Sequence, residues 1–235
     1  MDARDATGHE GEVGAGARLS RPPERETQAM ADLSFVHRFQ PATIPGRQPL
    51  LLLHGTGADE TDLLPLGAAI APGAALLSPR GKVREGGMLR FFRRLANGVF
   101  DEDDVRLRAG ELADFVAEAR AAYDLPAPVA VGLSNGANIA AAVLFTRPEA
   151  FAGAILFRAM VPLQDPPAAD LAGKRVLILS GRDDPLMPPE TAARLAGMLA
   201  GAGADVVHQV MPGGHGLTQG DLTLARAWLA EPSTV

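Results

Sequence analysis

A serine, an acid and a histidine in this chain occur in settings that suit acyl transfer. Ser134 sits in Gly132-Leu133-Ser134-Asn135-Gly136, between the apolar run Pro128 to Val131 and an Ala-rich helical stretch. A strand–turn–helix of this kind holds a serine in a strained backbone conformation with its hydroxyl clear of the strands. Glycines two before and two after remove Cβ atoms that would collide where strand and helix approach. A serine hydroxyl is a weak nucleophile until a base takes its proton, and the chain holds five histidines. His9 lies near the start, while His37 and His208 fall inside strand-like runs and read as structural. His54 ends an apolar run and reads as a scaffold residue. His215, in Pro212-Gly213-Gly214-His215-Gly216, occupies a glycine-rich loop between the last strand-like run and the last helical one. It is the base of choice.

An imidazole acting as base needs an acid to fix its tautomer and stabilise its cation. Gly181-Arg182-Asp183-Asp184-Pro185 offers two. Asp184 is favoured because Pro185 stiffens the backbone that follows, and Asp183 then takes a turn-capping role. The developing oxyanion also needs donors. The backbone N–H of Asn135, next to the serine, is one. The glycine-flanked Thr56 in His54-Gly55-Thr56-Gly57 supplies the other.

Elements able to carry these residues alternate along the chain. Strand-like runs occur at Leu33 to Phe39 (an edge strand), Pro49 to Leu53, Ala74 to Leu77, Val129 to Leu133, Gly153 to Phe157, Arg175 to Leu179 and Val206 to Met211. Helical stretches occupy Asp59 to Ile70, Asp104 to Tyr123, Asn138 to Thr146, Thr191 to Leu199 and Asp221 to Leu229. Wholly apolar strands alternating with helices predict an α/β domain, with a mostly parallel sheet covered on both faces. Gly81 to Asp103 breaks the alternation and reads as a long, basic, Gly-rich loop. Loops of that length in compact domains are often binding loops. Two readings stay open: the loop is solvated and tucks its two aromatics into the core, or Met88, Phe91 and Phe92 from it, together with Met187, wall an apolar substrate pocket.

Composition narrows the rest. The 235 residues fit one domain, expected over 32–232, preceded by a flexible tail over 1–31. A net charge of −6 argues against nucleic acid as a partner. Absence of cysteine excludes a disulfide framework, a thiolate zinc site and a cysteine nucleophile. No phosphate-binding loop or H-E-x-x-H pattern occurs, so neither a cofactor nor a metal is expected. Leu125 to Thr146 is uncharged, but Pro126, Pro128 and the Ser134-Asn135-Gly136 turn divide it, so no membrane span is read there. No signal-peptide core precedes it, and a cytoplasmic location is expected.

Taken together, the chain resembles the phospholipase/carboxylesterase branch of the α/β-hydrolases, akin to acyl-protein thioesterases and small bacterial esterases. The resemblance rests on Leu51 to Glu60, on Gly132 to Asn138, on Gly181 to Pro188 and on Gly213-Gly214-His215-Gly216. Leu77-Ser78-Pro79-Arg80-Gly81 and Arg90-Phe91-Phe92-Arg93-Arg94 are also similar, and the likeness spans Pro49 to Leu229. It implies a Ser134–Asp184–His215 triad, an oxyanion hole at Thr56 and Asn135, a monomer or homodimer, and hydrolysis of small to medium acyl or aryl esters through an acyl-enzyme. An acyl thioesterase or lysophospholipase with the same triad is the alternative, and a non-catalytic binding protein a more distant one. Asn135 stands where the thioesterases usually carry Gln, and Gly81 to Asp103 is unlike their corresponding region. Both departures point away from acyl-protein substrates.

Overall fold

The computed structural model describes residues 32–96 and 98–231. Seven strands form its main sheet: β1 (His37–Gln40), β2 (Leu50–Leu53), β3 (Leu76–Pro79), β8 (Val129–Leu133), β9 (Gly153–Phe157), β10 (Arg175–Gly181) and β11 (Asp205–Met211). Their order is β1-β3-β2-β8-β9-β10-β11, and every pairing is parallel except β1 with β3. Between β3 and β8 lie two hairpins, β4 (Val83–Glu85) with β5 (Met88–Arg90) and β6 (Arg94–Ala96) with β7 (Val99–Phe100). The helices are α1 (Leu64–Ile70), α2 (Glu102–Tyr123), α3 (Asn135–Thr146), α4 (Pro189–Gly201) and α5 (Gln219–Ala230).

Wholly apolar strands become intelligible once both faces are covered. In β2, Leu51 and Leu53 pack among residues of α2, α3 and α4, while Leu50 and Leu52 pack with α1 and α5. β10 divides the same way, Val176 and Ile178 to one side and Leu177 and Leu179 to the other. Side chains alternate along a strand, so a run of leucines serves two cores at once.

Several element boundaries differ from expectation. β1 starts at His37, not Leu33. α1 starts at Leu64, because Pro65 has no N–H and its ring would clash inside a longer helix; it sits instead in the first turn. The residues before it turn on Asp59, whose Oδ1 accepts from the Thr61 N–H and hydroxyl. The larger correction concerns Gly81 to Asp103, which carries two short hairpins and the start of α2 rather than one long loop. Gly86 and Gly87 have φ of 57° and 85°, and two consecutive positive values suit a tight two-residue hairpin turn. α2 is capped by Asp101, which accepts from the Asp104 N–H.

Among the described residues no helix is long and apolar enough to cross a membrane. The uncharged run before Thr146 is split between β8 and α3, as expected. The expected tail over 1–31 lies outside the described residues.

Candidate active site

Ser134 follows β8 and directly precedes α3 with φ 54° and ψ −113°. A non-glycine residue there is strained by roughly 1–3 kcal/mol. The strain is held in place by close backbone approach. A Cβ at Gly136 would collide with the Leu53 carbonyl, and one at Gly132 with the backbone of Gly136 and Ala137. The Ser134 N–H donates to the Phe157 carbonyl (2.9 Å), fixing the turn to β9. Among the described residues its hydroxyl has no hydrogen-bond partner.

His215 lies beyond β11 and its Nδ1 sits 2.8 Å from Asp184 Oδ2. The Asp184 side chain is fully buried, whereas Asp183 is exposed. Asp184 Oδ1 accepts from the Leu186 and Met187 N–H groups at 2.9 and 3.1 Å. The turn-capping role expected of Asp183 therefore belongs to Asp184, one oxygen holding its own turn and the other meeting the imidazole. The two loops interlock through backbone: Asp183 N–H donates to the Gly213 carbonyl (3.0 Å), and a Cβ at Gly181 would strike the Gly214 carbonyl.

Sequence reasoning missed the residue that shapes the histidine loop. Arg158, after β9, is fully buried with φ 54°. Its Nε donates to the Gly214 carbonyl and Nη2 to that of Gly216, both at 2.9 Å, so it grips the backbone on either side of His215. Nη1 donates to the Leu179 carbonyl, and Nη1 and Nη2 together engage Asp221 at 2.9 and 2.8 Å. Burial alone would raise the Asp221 pKa, but hydrogen bonds from Arg158 and Thr218 overcome it and hold the carboxyl below its usual range. A lone arginine between a strand and a loop carries no local motif, so only the fold reveals its partner 63 positions away.

Ser134 and His215 line one cavity of about 460 Å³, with Thr56, Asn135, Met88 and Met187 also on its wall. Among the described residues neither the Thr56 nor the Asn135 N–H is engaged by a protein acceptor. The two phenylalanines are elsewhere. Phe91 (2% exposed) packs its ring 4.8 Å from that of His54, and Phe92 (0%) packs 4.9 Å from Phe100. They belong to the core, where both pack in the cluster shared with α2 and α3, and the Phe91 N–H is held by Asn135 Oδ1 (2.7 Å). Phe100 is the aromatic on the wall.

The histidines read as structural are placed accordingly. His37 joins Tyr123 (2.7 Å) and His208 joins Ser180 (2.8 Å). His54 contacts the Gly55 carbonyl through Nδ1 and accepts the Gly81 N–H at Nε2. Burial lowers its pKa, which keeps the ring neutral and suits this donor–acceptor pattern.

No protein-family model matches the chain. It is 47% identical over 184 residues, 77% of its own length and 92% of the relative's, to the Bacillus subtilis protein named "Putative hydrolase MhqD". The crystal structure of the Bacillus cereus carboxylesterase superposes with a TM-score of 0.82 at 44% identity, covering 84% of this chain and 94% of that one. A carboxylesterase from Mesorhizobium loti gives 0.82 at 35% identity over 86% and 98%. Sheet order, strained serine turn and these likenesses agree: the chain belongs to the carboxylesterases of the α/β-hydrolase type, enzymes that hydrolyse esters.

Proposed function

We propose that the chain is a serine carboxylesterase acting on small to medium acyl or aryl esters through an acyl-enzyme. Ser134 attacks the carbonyl carbon while His215 takes its proton, and Asp184 orients the imidazole. The backbone N–H groups of Thr56 and Asn135 receive the oxyanion. His215 then protonates the departing alcohol, and water repeats the sequence to release the acid. The observation that carries this reading is the 2.8 Å contact of His215 with buried Asp184, beside a cavity that also holds the strained Ser134. Apolar walls at Met88, Phe100, Leu133, Met160 and Met187 suit an acyl chain or aryl ring.

Ser134→Ala tests it. This variant is expected to fold normally, to lose p-nitrophenyl ester hydrolysis by at least about 10⁴-fold, and to escape labelling by a fluorophosphonate. Near-normal turnover by Ser134→Ala would remove the serine from the mechanism.

A further inference from the structure

The cavity wall carries an excess of hydrogen-bond donors that the proposed chemistry does not use. Asn135 is 2% exposed and Asn138 0%, and both line the cavity. Asn135 Oδ1 accepts from the Phe91 N–H (2.7 Å) and Asn138 Oδ1 from the Met160 N–H (2.9 Å). A backbone N–H only donates, so these contacts fix which end of each amide is oxygen. Each Nδ2 is left buried with no partner among the described residues. An unmet buried donor is costly, and here two occur one helical turn apart beside the nucleophile.

Arg90 adds charge to the same wall. Its side chain is 4% exposed; Nε donates to the Phe92 carbonyl (3.1 Å) and Nη1 to Thr56 Oγ1 (2.8 Å). Glu85 approaches Nε at 3.4 Å but also pairs with Arg94, so one carboxylate lies between two guanidinium groups. Among the described residues no acceptor meets Arg90 Nη2. The carboxylate on the cavity wall, Asp62, is exposed. Water set against a wall of donors must still place its own hydrogens. A carboxylate, with two oxygens and no hydrogen, can accept from all of them.

We infer that the Arg90, Asn135 and Asn138 side chains form a carboxylate subsite, so that the preferred substrates are esters whose acyl half bears a free carboxylate. The inference rests on the serine-esterase reading above for its choice of ester. Recognition of such a group by a buried guanidinium is charge-assisted and geometrically selective.

The test compares the mono-p-nitrophenyl ester of adipic acid with the same ester methylated at its free carboxyl. The full chain is expected to favour the anionic ester in kcat/KM by about tenfold or more, given the strength of hydrogen bonds to charged groups. Arg90→Met should abolish that preference and Asn138→Leu should reduce it several-fold; the second variant serves if the first does not fold. Calorimetry on Ser134→Ala then measures binding of monomethyl adipate against dimethyl adipate, with the acid expected to bind more tightly. Equal binding of the two, or a kcat/KM ratio of one or less, overturns the subsite. Selective binding without hydrolysis of either ester by the unmodified chain would keep the subsite and overturn the serine-esterase reading instead.

Discussion

Two buried arginines, one on the cavity wall and one holding the backbone of the histidine loop, do opposite things with the same side chain. Arg158 has five N–H donors and meets five acceptors: the carbonyls of Leu179, Gly214 and Gly216 and both oxygens of Asp221. Arg90 donates to Phe92 and Thr56 and has donors left over beside the cavity. A guanidinium whose donors are all met inside the protein has no capacity for a ligand and acts as a clamp. One only partly met has capacity left for a ligand. The contrast separates framework from recognition more sharply than burial does, since both side chains are almost wholly hidden.

The largest effect expected on the clamped side is chemical. Asp184→Asn should lower kcat by about 10⁴-fold, as a misoriented base does elsewhere, while exposed Asp183→Asn should change it little. The reverse order in steady-state kinetics would move the acid to Asp183. Next comes stability. Arg158→Met leaves Asp221 buried and unpaired and should cost about 3–5 kcal/mol in urea unfolding, whereas Arg90→Met should cost about 1–2 kcal/mol. The double variant Arg158→Met with Asp221→Leu should recover most of that stability but not kcat, because the carbonyls beside His215 remain unheld. Equal losses at Arg158 and Arg90 would erase the distinction between them.

The smallest effect is a pH dependence. The folded Asp221 pKa is depressed, so its contribution to stability is complete above the ordinary carboxylate value of 3.8 and is lost as pH falls through the folded value. Urea midpoints taken from pH 6 downward should therefore drop in acid more steeply for the unmodified chain than for the double variant. Parallel profiles would mean that the pair contributes nothing through linkage.

Much of this architecture was legible because it rests on local rules. Apolar runs such as Leu50–Leu53 predict strands covered on both faces, and the serine turn is a short motif whose glycines have steric reasons to be there. Pairing of His215 with Asp184 followed from chain position and loop composition. Turn chemistry in the Gly81 to Asp103 segment is local too, since Gly86-Gly87 between short extended runs is a hairpin signal. Reading its aromatics as pocket walls failed for a physical reason. A large apolar side chain is as much at home in a core as in a binding site, and only the turn of the backbone decides between them. Arg158 stands in no motif, and Arg90 and Asn138 occur only inside segments that carry the resemblance, with no donor role legible there. Their roles depend on which donors go unmet after folding, and sequence spacing holds no record of that.

Asp221 reaches further than its arginine. It accepts from the Thr218 N–H and hydroxyl while Thr218 caps α5, so one carboxylate ties the start of the C-terminal helix to the grip on the histidine loop. The start of that helix and the backbone beside the imidazole are thereby coupled through a single carboxylate and a single guanidinium. Loosening of the α5 start at Thr218 would in turn loosen the backbone on either side of the imidazole.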